Sequence, residues 1–219
     1  MANVIKLRKG LDVNLKGKAA KEEFQVKKPA VYALMPDDFT GMKPKVVVKE
    51  NDVVKVGDSL FVDKNHPEIK FVSPVSGRVT MVERGDRRKV LSVRVEADAE
   101  QQYVDFGKKN VGQMTAQEVK NLLLESGLFG FFRQRPYDVT ANPSDTPKAI
   151  FVSAFNSMPL AADFEYVLRG READFQAGLD ALAKMAKTYL GVSSKQTATV
   201  LTAAKNVEIN FFDGPAPAG

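Results

Sequence analysis

VVKVGDSLFVDKNHPEIKFVSPVSGRV, residues 53–79, holds two short apolar runs, Ser59-Leu60-Phe61-Val62 and Ile69-Lys70-Phe71-Val72, on either side of Asn65-His66-Pro67-Glu68. Runs of β-branched and aromatic residues bounded by turn formers read as strands joined by a tight connection. The same pattern extends outward, through Val46-Val47-Val48 before it and through Arg78–Val82 and Val90–Val95 after it. Glu83–Lys89 between the last two reads as a hairpin connection with Gly85-Asp86 at its tip. Strands this short and this evenly spaced predict a compact sandwich or barrel.

Within the quoted stretch, Val54-x-x-Gly57-Asp58-x-Leu60 leads through the hairpin to Ser73-Pro74-x-x-Gly77-x-Val79. That order resembles the biotinyl and lipoyl carrier domains and implies a barrel-sandwich hybrid. Carriers present their modified lysine at the hairpin tip. Here the tip is Asn65–Glu68, Lys64 is displaced toward the first strand and Pro67 stiffens the turn. A packing and docking module is the expectation, with a biotin or lipoyl-like carrier as the alternative.

The 219 residues suffice for one large or two modest domains, and 44% apolar with 27% charged residues is ordinary globular usage. There is no cysteine and one histidine, which removes disulfides, thiolate ligation and most metal constellations, so no metal site and no catalytic residue is expected. No run reaches the length of a membrane span. The net charge of +5 is concentrated in residues 1–30, which hold eight basic side chains (Lys6, Arg8, Lys9, Lys16, Lys18, Lys21, Lys27, Lys28) against Asp12, Glu22 and Glu23. Without an aromatic-basic ladder this charge does not signal nucleic-acid binding.

Thr115-Ala116-Gln117-Glu118 is a capping box opening a helix that Gly127 stops. Arg135–Lys148, with three prolines, reads as a surface crossover. The pattern then becomes α/β: a strand at Ala149–Val152, a long helix over Arg171–Leu190 with Phe175, Leu179, Leu182, Ala186 and Tyr189 on one face and Gly191 as its cap, and a strand at Val207–Phe212. The expected organisation is a basic segment at 1–40 packing on both domains, a barrel-sandwich hybrid at 41–100, a helix and crossover at 101–147, and a truncated Rossmann-like α/β segment at 148–219. Neither G-x-G-x-x-G nor a P-loop is present.

The succession of a barrel-sandwich domain, LLLESGLFG (122–130), FRQRPYD (132–138), NPSDTPKAIFV (142–152) and AIFVSAFNSMPLAAD (149–163) resembles the A-type subunits of the sodium-translocating NADH:quinone oxidoreductases. It is more distantly similar to the C-type electron-transport subunits of the Rnf complexes and to the NADH- and FMN-binding subunit of respiratory complex I. In the complex I protein, small residues after S-G-L-x-G admit the FMN phosphate to bare backbone N–H groups. Ser126, Gly127 and Gly130 keep that entry, but Phe131, Phe132, Arg133, Gln134 and Arg135 follow it. Where the complex I protein has an acidic nucleotide-reading stretch, this chain has Phe155, Asn156 and Met158.

The resemblance therefore implies degenerate FMN and NADH sites in a peripheral subunit on the cytoplasmic side of a bacterial inner membrane. It implies no cofactor in this segment, with FMN, FAD and iron–sulfur centres in partner subunits and the B- and C-type subunits as neighbours. Phe131, Phe132, Arg133 and Arg135 are the candidate quinone contact, since phenyl faces and guanidinium donors suit an oxygenated ring. A stand-alone NADH- or flavin-dependent oxidoreductase is the competing expectation.

Overall fold

The computed structural model describes residues 4–17 and 19–218, so Met1, Ala2, Asn3, Lys18 and Gly219 lie outside the described residues. The chain divides into two compact units. Val26–Lys109 and Gln117–Thr146 form one; Met1–Gln25, Asn110–Ala116 and Pro147–Gly219 form the other. The basic segment 1–40 is thereby shared: β1 (Val4–Lys6) belongs to the second unit and β2 (Val31–Leu34) to the first. Most of the 101–147 stretch folds with the β unit.

The β unit contains β2, β3 (Pro44–Val46), β4 (Val53–Val54), β5 (Ser59–Asp63), β6 (Lys70–Val72), β7 (Gly77–Arg84) and β8 (Val90–Ala97). One antiparallel sheet runs β2-β8-β7-β4 and a second runs β3-β5-β6. Leu60, Phe61, Ile69, Phe71, Val79, Val93 and Val95 are all at or below 2% exposure. Burying each such side chain contributes about 1.5–3 kcal/mol, so the apolar members of these short runs hold the unit together. The Asp63 carboxylate closes the base of the β5–β6 turn, accepting the N–H groups of Lys43 (3.3 Å) and Asn65 (3.0 Å).

Helix α1 (Ala116–Glu125) buries Val119 and Leu124. It ends at Gly127, whose φ of +75° is the left-handed conformation that glycine adopts without steric cost. A single turn at Leu128–Phe131 leads into a hairpin of β9 (Arg133–Gln134) and β10 (Val139–Thr140). The crossover is pinned by Lys120 Nζ donating to Pro143 O (2.8 Å) and by Thr140 N–H donating to Thr40 O (2.8 Å).

The α/β unit comprises β1, β11 (Ile150–Ser153), α2 (Phe164–Val167), α3 (Glu172–Met185), β12 (Thr188–Ser193), α4 (Thr199–Thr202) and β13 (Glu208–Asp213). Its four-stranded sheet is wholly parallel, in the order β1-β13-β12-β11. Ala154, Leu179, Leu190, Val192 and Leu201 form its core, with Val152, Phe175, Ile209 and Phe211 packed against them.

One expectation is overturned. The helix predicted over Arg171–Leu190 stops at Met185, and Thr188–Ser193 is a strand with strictly alternating burial. Thr188, Tyr189 and Val192 are β-branched or aromatic residues suited to the sheet. Of the residues read as one helical face, Phe175, Leu179 and Leu182 lie in α3, Ala186 follows its end and Tyr189 belongs to β12. Gly191 lies inside β12 rather than capping a helix, with the Phe212 ring over it.

Candidate functional site

The segment Ser126–Asp138 joins α1 to β10, and its backbone is fixed by packing on the β unit. A Cβ at Gly127 would fall 2.7 Å from Val72 Cγ1 and 3.2 Å from Lys70 O. A Cβ at Gly130 would fall 2.8 Å from Phe71 Cε1. Real Cβ contacts are longer than this, so both glycines are required by the close approach of the turn to β6. Their backbone faces protein, where a phosphate cradle would need open space.

Phe129 is buried and stacks on Phe132 at 5.3 Å between ring centroids. Phe131 points elsewhere: it is 69% exposed and lies in edge-to-face geometry with Phe39, with 5.7 Å between ring centroids. Phe39 in turn packs on Phe71 at 4.4 Å and Phe71 on Phe61 at 5.1 Å. The exposed ring is thus the outer end of an aromatic column that runs into the core. The volume next to the glycines is held by Val72 and Phe71, and not by Phe131 as the sequence suggested.

The two arginines converge on one carboxylate. Arg133 Nε and Nη2 donate to the two oxygens of Asp138 at 3.1 and 3.3 Å, and Arg135 Nη1 lies 3.6 Å from Asp138 Oδ1. Hydrogen bonding from Arg133 holds the Asp138 carboxyl below the usual carboxylate range and raises the Arg133 guanidinium. Sequence reading singled out the arginines and missed the carboxylate, although Asp138 stands three residues after Arg135. Phe39 was also missed; nothing in its local pattern connects it to residue 131.

The second candidate stretch follows β11 in the other unit. Asn156 Oδ1 accepts the Met158 N–H (2.9 Å), which folds the stretch into a local turn. Phe155 stacks on Phe212 at 6.0 Å, while Met158 is exposed. Its three departures from an acidic site therefore make a stacked ring, a turn and an exposed apolar side chain. Ligands of open parallel sheets sit beyond the carboxyl ends of the strands. A cleft of about 420 Å³ in this unit, lined by Lys187, Thr188, Asn206 and Glu208, opens at the amino ends of β12 and β13. A shallow groove at the carboxyl end of β1 is lined by Lys6, Leu7, Arg8, Lys9 and Pro217 and includes none of Phe155–Met158. Among the described residues no three His, Cys, Asp or Glu side chains gather to hold a metal, and no helix is long and apolar enough to cross a membrane.

Residues 5–98 match the family model described as the NqrA N-terminal barrel-sandwich hybrid domain, and residues 114–219 match the NqrA second alpha/beta domain. The chain is 35% identical over 222 residues to the A-type subunit of the Na(+)-translocating NADH-quinone reductase of Yersinia pseudotuberculosis, covering 99% of this chain and 49% of that protein. It is 33% identical to the protein of the same name from Pseudomonas aeruginosa and 36% to that of Vibrio vulnificus, each over 219 residues with the same coverage. The chain spans about half the length of the curated relatives it matches.

Proposed function

Because this chain belongs to the NqrA family and carries its N-terminal barrel-sandwich hybrid and second α/β domains, we propose that it works as the A-type component of a sodium-translocating NADH:quinone reductase, a scaffold without flavin or nucleotide of its own. The observation that carries this reading is the contact of Gly127 and Gly130 with Val72 and Phe71. FMN does not fit a turn whose bare backbone is already covered by side chains. The FMN, FAD and iron–sulfur chemistry then belongs to partner subunits, with B- and C-type subunits as neighbours. The chain sits peripherally on the cytoplasmic side of a bacterial inner membrane.

Purification after incubation with FMN and NADH tests the scaffold role. A colourless protein that leaves flavin fluorescence unquenched is expected, and stoichiometric bound flavin overturns it. Co-purification with co-expressed B- and C-type subunits is the second expected result.

A quinone contact at the turn is a further part of this reading, favoured by the exposed Phe131 ring beside a hairpin in which two arginines share the single Asp138 carboxylate. The ring would stack on the head group, with Phe132, Arg133 and Arg135 around it. Photolabelling of the assembled complex with a short-chain azidoquinone should mark this turn and weaken in Phe131→Ala. Labelling unchanged in Phe131→Ala and Arg135→Ala removes the assignment.

A further inference from the structure

The parallel sheet of the α/β unit is covered on one face only. Phe164 of α2, Leu179 of α3 and Leu201 of α4 belong to a single cluster with Val152, Leu190 and Val192 of the strands. By strand alternation the opposite face carries Phe151, Tyr189, Gly191, Phe212 and Ile5. Phe151 stacks on Tyr189 at 5.2 Å, Phe155 on Phe212 at 6.0 Å, and the Phe212 ring lies over Gly191. Between them stand the uncharged Ser153, Ser193 and Asn210; the charged Glu208 lies at the amino end, 2.9 Å from Lys187 Nζ. With Phe151 77% and Ile5 41% exposed, this aromatic layer is turned to solvent. Wholly parallel sheets are ordinarily buried on both faces, because their crossover helices pack there.

The edge beside that face is open as well. Among the described residues β11 pairs with β12 alone. Ile150 N–H donates to Lys187 O (2.9 Å) and Ala154 N–H to Gly191 O (2.8 Å), so the alternate residues Phe151 and Ser153 direct their backbone groups to the unpaired side. No lysine, proline or bulge blunts Ile150–Ser153. One insertion answers both openings. β11, β12 and β13 lie side by side in chain order with their helices on one face, as right-handed crossovers require. A further right-handed crossover that returned to the free edge of β11 would reverse direction and place its helix on the aromatic face. The relatives carry the chain to do this. The present chain matches 49% of each, through domains described as N-terminal and second, so about as much polypeptide again follows the matched part. A second copy is a poorer occupant: pairing two β11 edges leaves the aromatic faces bare, and stacking the faces leaves the edges open.

We propose that the aromatic face and the β11 edge together dock a helix and a parallel strand from the C-terminal half of the family polypeptide. The helix lays apolar side chains on Phe151, Tyr189 and Phe212, and the strand takes the backbone groups of Phe151 and Ser153. This surface is independent of the scaffold role, so a chain found to bind flavin would leave it standing.

Amide hydrogen exchange tests it on the 219-residue chain alone and on the same chain continued at Gly219 by the unmatched C-terminal half of the Vibrio vulnificus relative. In the chain alone, the Phe151 and Ser153 amides are expected to exchange fast while those of Ile150 and Ala154, bonded to β12, are protected. In the continued chain, the Phe151 and Ser153 amides should slow by at least about an order of magnitude. Phe151→Thr, which keeps a strand-forming residue and removes the ring, should leave the thermal midpoint of the chain alone nearly unchanged and lower that of the continued chain. If the joined protein does not fold, the same comparison on the full-length relative and its matched half, at the positions aligned with Phe151 and Ser153, decides. Fast exchange at both positions in the longer protein overturns the proposal. So does protection in the chain alone accompanied by dimers in sedimentation, which assigns the surface to a second copy, and so does protection that arises only when B- and C-type subunits are added.

Discussion

The ring of Phe71 stands directly behind Gly130, where a Cβ would come within 2.8 Å of Cε1. Phe71 is itself almost fully buried and held between Phe39 and Phe61, so it has nowhere to retreat. A turn that resembles a phosphate loop in sequence is in space a joint between α1 and β6.

Gly127→Ala and Gly130→Ala should each destabilise the protein by about 1–3 kcal/mol through overpacking. Gly127 carries the added strain of its positive φ. Gly178 is the control: it is exposed within α3 and a Cβ there meets nothing within 4 Å. Gly178→Ala should therefore stabilise by about 0.5–1 kcal/mol. Denaturant unfolding of the three variants checks the contrast, and a neutral Gly130→Ala would remove the packing role of the turn.

Leu190 and Tyr189 distinguish the strand from the helix that the local pattern suggested. Leu190 is fully buried in the α/β core, whereas Tyr189 lies on the other side of β12, stacked on Phe151 at 5.2 Å. Phe151 is 77% exposed. Leu190→Ala is expected to cost about 2–5 kcal/mol and Tyr189→Ala clearly less. The reverse order in equilibrium unfolding would contradict the register of β12.

Asp138 should titrate below the ordinary carboxylate range, because Arg133 hydrogen-bonds its charged form. A depressed folded-state pKa means that the stabilisation is complete above the unfolded value and is lost as pH falls through the folded one. Carbon-detected NMR of the Asp138 carboxyl against pH reads this directly. An Asp138 that titrates with the unpaired carboxylates, unaltered by Arg133→Gln, would break the assignment.

Asp163 has two roles that substitutions separate. Its Oδ1 accepts the N–H groups of Glu165 (3.1 Å) and Tyr166 (3.3 Å) at the start of α2, and its Oδ2 lies 2.8 Å from Lys21 Nζ. Lys21 is the larger cause of the lowered Asp163 pKa, so this tether persists until pH drops below the usual carboxylate range. Asp163→Asn keeps the cap and loses the ion pair, whereas Asp163→Ala loses both; a lost cap costs about 0.5–2 kcal/mol. Both variants should be cut faster by trypsin near Lys21, and only the alanine variant should expose α2 to faster exchange. Cleavage unchanged in both would show that Lys21 does not hold the segment.

The β unit was legible because its information is local. Leu60-Phe61-Val62 and Ile69-Lys70-Phe71-Val72 lie within a hairpin of each other, and turn residues mark every junction from Val53 to Val79. The end of α1 at Gly127 was legible for the same reason. The candidate site was legible in composition only. The phenylalanines and arginines were visible, but which ring is buried, which is exposed, and which carboxylate takes both arginines depend on contacts with Phe39, Phe71 and Val72 and on the path of the β9–β10 hairpin.

By itself, the sequence determined the hairpin-built barrel, the absence of cysteine chemistry, the family likeness and the α/β character of the second half, all of which rest on nearest-neighbour patterning. Only the tertiary structure decided that Val4–Lys6 pairs in parallel with Phe211–Asp213, that Thr188–Ser193 is a strand, and that two glycines serve β6. Each of those outcomes was set by residues distant in sequence meeting in one place, where burial and steric fit outweigh local preference.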